Sequence, residues 1–292
     1  MALRERLPVA PAGEVWVGDD AAVLRPPDGP LLLAADVLVE GHHWDPALSS
    51  MSDVGWKALA VNVSDIAAMG GRPLHAVVTV TVPSGRGDDL GRLYDGLEEA
   101  AAAFGCPVVG GDLSGGPAFV VTVAVTGTVD GSVPPVLRSG ARPGDALLVT
   151  GPLGAGSAGL RMLRAGDGDG PVHRRPLPRV AEGMAAREAG ATAMLDLSDG
   201  LVIDLRRLAD ASGVGVVVDE VTVAEGATVE EAVGGGDDYE LLLAAPDASA
   251  MAAAFAAAGL RAPVVIGRCT AEVTERRLGA GPLPEGGWEH MW

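Results

Sequence analysis

Apolar, β-branched runs closed by Gly, Pro or Asp recur along the chain and alternate with stretches that carry a helical period. That alternation admits few folds, because every strand must find sheet partners and every amphipathic helix must cover a sheet face. In the first half, Leu31–Ala35, Ala76–Val82, Pro107–Val109 and Phe119–Val129 read as strands, with helices over Asp53–Met69 and Asp88–Phe104. Ser52 is the expected N-cap of the first helix, and Gly70-Gly71 ends it. In the second half, strands are expected at Ala146–Thr150, Ala193–Leu197, Val214–Val218, Tyr239–Ala244 and Pro263–Ile266. Helices are expected at Leu201–Ser212 and Ala248–Ala258, and Ala165–Pro178 reads as a mobile loop. The turn-rich RSGARPGD (138–145) divides the chain into an expected N-terminal domain, 1–137, and a C-terminal α/β domain, 138–292. A chain of 292 residues is long enough for two cores.

The apolar runs share an ending: a glycine or small residue, then aspartate. It occurs as VGDD (17–20), AAD (34–36), VGGD (109–112), LDLSD (195–199) and GGDD (235–238), and Asp65 adds an acid inside the otherwise apolar helix AVNVSDIAAMG. One such aspartate is an ordinary turn residue. Five similar endings would gather mutually repelling carboxylates, which hard cations such as Mg²⁺ or Mn²⁺ would make tolerable. Asn62 and Asp65, three apart, share a helix face. Asp196 and Ser198 face the same way on a strand, and Asp199 stands where the next helix begins, a favourable place for an anion.

Charge narrows the chemistry. There are 39 acids against 21 bases, a formal net charge of −18, and Lys57 is the one lysine. This balance argues against general nucleic-acid binding and against docking on an anionic membrane. Gly151–Gly159 lacks the GK[ST] of a phosphate-binding P-loop. No GxGxxG in a βαβ unit and no HExxH is present, and the adjacent His42 and His43 on an extended segment would face opposite ways. Cys106 and Cys269 cannot build a disulfide framework and read as buried thiols. The start, MALRERLPVAPAGEV, has no signal-like core, and no apolar stretch approaches the ~20 residues of a membrane helix. A cytoplasmic protein is expected.

GDDAAVL (18–24), DVLVEGHHW (36–44), GWKALAVNVSDIAAMGG (55–71), GGD (110–112), RSGARPGD (138–145), LDLSDGL (195–201) and GGGDDYELL (234–242) occur in this order. As a set they resemble the thiamine-monophosphate kinases, a branch of the aminoimidazole ribonucleotide synthetase-like superfamily. The resemblance implies an α+β N-terminal domain that dimerises through its sheets, followed by a C-terminal α/β domain. It implies direct in-line transfer of the γ-phosphoryl group of ATP to thiamine monophosphate, with several Mg²⁺ ions and no assigned general base. The family's metal aspartates fall on Asp20, Asp36, Asp65, Asp112, Asp196 and Asp199. Its nucleotide contacts fall on Tyr94, Gly111, Asp112, Arg138 and Ser198, and its substrate contacts on His43, Asp237 and Trp288. Two departures stand out: Ala34-Ala35 replaces the usual Ser-Thr before Asp36, and Asp237 replaces the usual Glu. They leave open a weakened nucleotide-binding paralogue, or a relative acting on another acceptor. Selenophosphate synthetases carry a reactive Cys or selenocysteine in the N-terminal segment, and here no Cys precedes Cys106.

Overall fold

The computed structural model describes residues 7–288; the opening MALRER and the closing EHMW lie outside the described residues. The chain divides into two compact units, residues 1–66 with 72–131, and residues 67–71 with 132–292. The turn-rich segment at Arg138 therefore lies just inside the second unit.

The first unit comprises β1 (Leu31–Val39), most of α1 (Met51–Ala68), β2 (Arg72–Val82), α2 (Asp89–Phe104), β3 (Val108–Gly115) and β4 (Val120–Thr128). Its four strands form a sheet in the order β1-β4-β2-β3, parallel only between β2 and β3. Strict alternation buries one face: Val121, Val123 and Val125 of β4 and Ala76, Val78 and Val80 of β2 are all inside. The helix α1 follows this face, since Gly127 of β4 leaves room only for Ile66. Its N-terminus is capped by Ser50 rather than Ser52. The Ser50 hydroxyl and Asp53 exchange hydrogen bonds, with Ser50 N donating to Asp53 Oδ2 at 3.1 Å and Asp53 N to Ser50 Oγ at 3.2 Å.

The helices α1 and α2 cross at reciprocal glycines. A Cβ on Gly96 would run into the Ser52 carbonyl oxygen, and one on Gly55 into that of Leu93. The opposite sheet face is left apolar and open, with Leu31 61% and Leu33 73% exposed beside Val37 and Val77. At the sheet's end Arg86 ties three elements. It donates to Glu40 at 2.6 Å and Asp89 at 2.7 Å, and its guanidinium lies 5.3 Å from the Phe119 ring centroid.

The second unit comprises β5 (Ala146–Val149), α3 (Ala155–Ala165), α4 (Pro171–Arg174), α5 (Val180–Glu188), β6 (Ala193–Asp196), α6 (Leu201–Ser212), β7 (Gly215–Val218), α7 (Val229–Gly234), β8 (Leu241–Ala245), α8 (Ala248–Ala257), β9 (Val264–Thr270), β10 (Arg276–Leu278) and β11 (Gly281–Pro282). Its seven-stranded sheet runs β11-β10-β7-β9-β5-β8-β6 and is antiparallel except between β10 and β7. Flanked by β5 and β6, β8 is buried at every residue, as the unbroken apolar run LLLAA requires. One core cluster joins Leu147, Leu195, Leu205, Val216 and Leu242; another joins Leu148, Met194, Leu243, Met251 and Phe255. The segment expected as a mobile loop contains the short helix α4, started by Pro171. Cys106 and Cys269 are buried free thiols, and burial pushes both up to about 12. No described helix is long and apolar enough to cross a membrane.

Gly96→Ala is expected to destabilise the protein by about 1–3 kcal/mol, because the α1 and α2 backbones must separate to admit a methyl group. Urea denaturation checks this; an unchanged midpoint would contradict the close crossing.

Candidate functional site

In the second unit, the chain after β6 stays extended and keeps a partner. Leu197 N donates to the Glu240 carbonyl at 2.8 Å, Tyr239 N to that of Leu197 at 2.9 Å, and Asp237 N to that of Ser198 at 2.9 Å. This short ladder locks LDLSDGL to GGGDDYELL. Trp288 joins them, its N–H donating to the Asp199 carbonyl at 2.9 Å. Asp196, Ser198, Asp199, Asp237 and Trp288 are thus gathered at one edge of the sheet. Within the ladder Asp237 has φ 66° and Tyr239 φ 50°, the two non-glycine residues in the left-handed region among those described. Such backbone costs about 1–2 kcal/mol per residue and persists only where surrounding contacts fix it.

The consecutive acids of this loop do different things. Asp238 is buried and accepts from Gly154 N at 2.6 Å and Gly156 N at 3.0 Å, pinning the glycine-rich turn at the start of α3. Burial outweighs these two bonds and pushes its carboxyl up to about 6. Asp237 remains partly exposed. Its Oδ1 accepts from the Tyr239 hydroxyl at 3.1 Å, and its Oδ2 lies 3.2 Å from His173 Nδ1. That nitrogen is buried and makes no hydrogen bond, so the approach is close but off the bonding direction.

Asp199 does not stand free at a helix N-terminus. Arg207 of α6 donates to it at 2.5 Å and to the buried Asp204 at 2.7 Å, while Asp199 N donates to Asp204 at 3.1 Å. The N-cap of α6 is Gly200, with no side-chain cap. Burial, reinforced by the charges of Asp199 and Asp196, pushes Asp204 up to about 6 against the pull of Arg207 and the Asp199 amide. Deeper still, Glu240 accepts from the Thr150 hydroxyl at 2.6 Å and from Arg179 at 3.0 and 2.6 Å, a two-pronged grip on a buried carboxylate. Arg138 is exposed, and its carbonyl faces the Ser212 hydroxyl at 3.4 Å.

In the first unit Asp36 N donates to the buried Asn62 Oδ1 at 2.8 Å, which ties β1 to α1; Asp65 lies one helical turn beyond Asn62. Asp36 shares a row with the buried Val123 and Val78, whereas Asp112 pairs with the exposed Thr79. They stand on opposite edge strands, three spacings or roughly 14 Å apart. Gly111, before Asp112, has φ 155°, and a Cβ there would run into the Val78 carbonyl oxygen. Asp20 is exposed in a bend where its N–H donates to Asp19 at 2.9 Å. His43 lies in a tight turn, not an extended segment: its Nδ1 accepts from Val39 N at 3.0 Å, which leaves Nε2 to carry the proton in the neutral ring. Tyr94 is buried on α2, and burial raises its phenol. Lys57 is buried on α1. The six expected metal aspartates suit Mg²⁺ in kind, since all donors are carboxylate oxygens. Among the described residues, no three His, Cys, Asp or Glu side chains converge on one point.

The family model described as AIR synthase related protein, N-terminal domain, matches residues 18–129, and its C-terminal counterpart matches residues 142–278. The thiamine-monophosphate kinase of Halobacterium salinarum is 37% identical over 282 residues, covering 94% of this chain and 94% of its own. That of Corynebacterium glutamicum is 36% identical over 255 residues, covering 79% and 77%. The chain belongs to the thiamine-monophosphate kinase family. Among solved structures, the Stenotrophomonas maltophilia thiamine-monophosphate kinase matches at TM-score 0.82 with 31% identity over 92% of this chain and 91% of that one. A structure described as AaThiL complexed with AMPPCP and TMP matches at 0.81, with 31% identity over 94% and 92%. The hydrogenase-maturation protein HypE, at 22% identity and TM-score 0.76, shares the fold. These matches establish an AIR synthase-like two-domain fold of mixed sheets and helices.

In this thiamine-monophosphate kinase family member, the residues that sequence reasoning missed are those that hold the site: His173, Arg179, Arg207, Asp238, Tyr239 and Glu240. One of them had a visible signal. Glu240 abuts a strand of unbroken apolar residues, and a carboxylate there needs a buried cation.

Asp238→Asn is expected to lower stability, since one of the two amides loses its acceptor. It is also expected to remove a pH dependence. A native carboxyl raised to about 6 binds its proton more tightly folded than unfolded, so it contributes stability that fades as pH rises from about 4 through 6. Urea denaturation at pH 5 and pH 7 checks both; an identical pH response in the variant would contradict the burial of Asp238.

Proposed function

We propose that this chain transfers the γ-phosphoryl group of ATP to the phosphate of thiamine monophosphate, by direct in-line attack and with Mg²⁺, giving thiamine diphosphate. The observation that carries this reading is the meeting of Ser198, Asp199, Asp237 and Trp288 through the backbone ladder, in a chain that pairs with kinases of this name over nearly its whole length. Its chemistry suits the reaction. In phosphoryl transfer the protein mainly positions the reactants and stabilises charge. Mg²⁺, held in this reading by Asp20, Asp36, Asp65, Asp112, Asp196 and Asp199, would offset the repulsion between two anionic reactants.

The chain's own residues then divide the work. Arg138, exposed and always charged, suits a forked grip on phosphate. Gly111 brings backbone close to the nucleotide beside Asp112, with Ser198 and Tyr94 as further nucleotide contacts. Trp288, 51% exposed, offers a ring face to the cationic thiazolium. His43 and Asp237 complete the substrate contacts. The phosphate nucleophile is already ionised, so the reading needs no general base. The open apolar face carrying Leu31, Leu33, Val37 and Val77 supports a homodimer formed through the first unit's sheet. Both reactants are small soluble metabolites, and the reading places the enzyme in the cytoplasm, apart from nucleic acid and membranes.

Purified protein with ATP, Mg²⁺ and thiamine monophosphate is expected to yield thiamine diphosphate and ADP. Asp112→Asn, which keeps volume and removes the charge, is expected to lower turnover roughly 10- to 100-fold with the fold intact. ATP binding without any diphosphate, across Mg²⁺ concentrations, would contradict the reading and favour a nucleotide-binding paralogue.

A further inference from the structure

We propose that Tyr239 and His173 are positioning residues that fix the Asp237 carboxylate as the acceptor for an amine on the substrate's pyrimidine ring, and so set the choice of acceptor. This deepens the kinase reading and rests on it. The two oxygens of Asp237 are approached from the protein side by different keepers: the Tyr239 hydroxyl donates to Oδ1 at 3.1 Å, and His173 Nδ1 lies 3.2 Å from Oδ2. The His173 side chain is 7% exposed and that of Asp237 29%, so the carboxylate is held from the buried side and reaches solvent in part. Backbone geometry agrees. Asp237 and Tyr239 both adopt left-handed φ, at 66° and 50°, and this folds the Tyr239 hydroxyl back onto the carboxylate two residues earlier.

The His173 ring nitrogen supplies an independent observation. It is buried, 3.2 Å from the carboxylate but off the bonding direction, and unsatisfied by any hydrogen bond. Buried ring nitrogens are normally paired, so one left unsatisfied beside a partly exposed acid marks a contact that ligand binding can complete. A slight turn of the carboxylate towards a bound donor would bring Oδ2 into line with Nδ1. The carboxylate accepts hydrogen bonds and does not donate them. It therefore favours an amino-substituted ring and disfavours the same ring carrying a carbonyl in that place, whose oxygen would face an anion.

The test compares thiamine monophosphate with oxythiamine monophosphate, in which a carbonyl replaces the pyrimidine amine, on the full-length enzyme. The wild type is expected to prefer the amine. Tyr239→Phe is expected to raise KM for thiamine monophosphate roughly tenfold, the effect of one hydrogen bond to a charged group. KM for ATP and kcat should change little, and the preference for amine over carbonyl should fall by a similar factor. His173→Leu is expected to act likewise. His173→Asn, whose amide nitrogen can occupy the place of Nδ1, should restore most of the preference. An unchanged preference in Tyr239→Phe, or an equal fall in kcat for both substrates, would overturn the proposal, and this holds even if His173→Leu fails to fold. A wild type that phosphorylates both substrates equally would overturn it while sparing the kinase reading. A wild type that makes no thiamine diphosphate would overturn both.

Discussion

Three backbone hydrogen bonds, from Leu197, Asp237 and Tyr239, carry the ladder of the second sheet past its last regular strands and into the loops of the candidate site. Without them LDLSDGL and GGGDDYELL would be separate turns on a surface. With them, and with the Trp288 N–H on the Asp199 carbonyl, an acid, a hydroxyl and an aromatic residue from three distant stretches of sequence stand at one sheet edge. The ladder also explains the left-handed backbone at Asp237 and Tyr239. Strain of this kind survives only when both sides are held, here by β6 on one side and by the Asp238 clamp on the glycine turn on the other.

Charge placement follows the same economy. A chain with an acid excess of 18 and one lysine sets arginines against carboxylates that the fold buries wholly or in part. Arg179 grips Glu240, Arg207 spans Asp199 and Asp204, and Arg86 links Glu40 to Asp89. Guanidinium suits these tasks because it holds its charge and binds two oxygens at once. These three arginines are engaged in holding acids in place, and metal ions are the natural further counter-charge for phosphate in the proposed reaction.

Much of the architecture was legible in the sequence because apolar period and glycine punctuation agree there. The spans expected for α2 and α6 and for strands β2, β4, β5 and β7 lie within a few residues of those observed. What was illegible has physical causes. The helix α5 has weak amphipathic character, and β10 and β11 are too short to show a period. Ser50 and Ser52 are equally good caps on paper, and only the reciprocal bond with Asp53 separates them. The candidate acids were readable as a set, but their partners were not. Nothing local distinguishes Asp237 from Asp238, although one lines the proposed substrate site and the other clamps a helix start. Asp199 looked like a helix-end anion because its partner, Arg207, lies eight residues on. That Asp36 and Asp112 stand on opposite edges follows from a strand order that no single motif encodes.

The central claim is that the proposed substrate face is preorganised by the ladder before any ligand arrives. Amide hydrogen exchange at Asp237 and Tyr239 in the ligand-free protein tests it most directly. Their N–H groups donate to Ser198 and Leu197, so they should be protected to a degree comparable with the β8 amides of Leu242 and Leu243. Exchange at the rate of exposed loop amides such as Gly85 would contradict the account, because the two loops would then come together only when substrate binds.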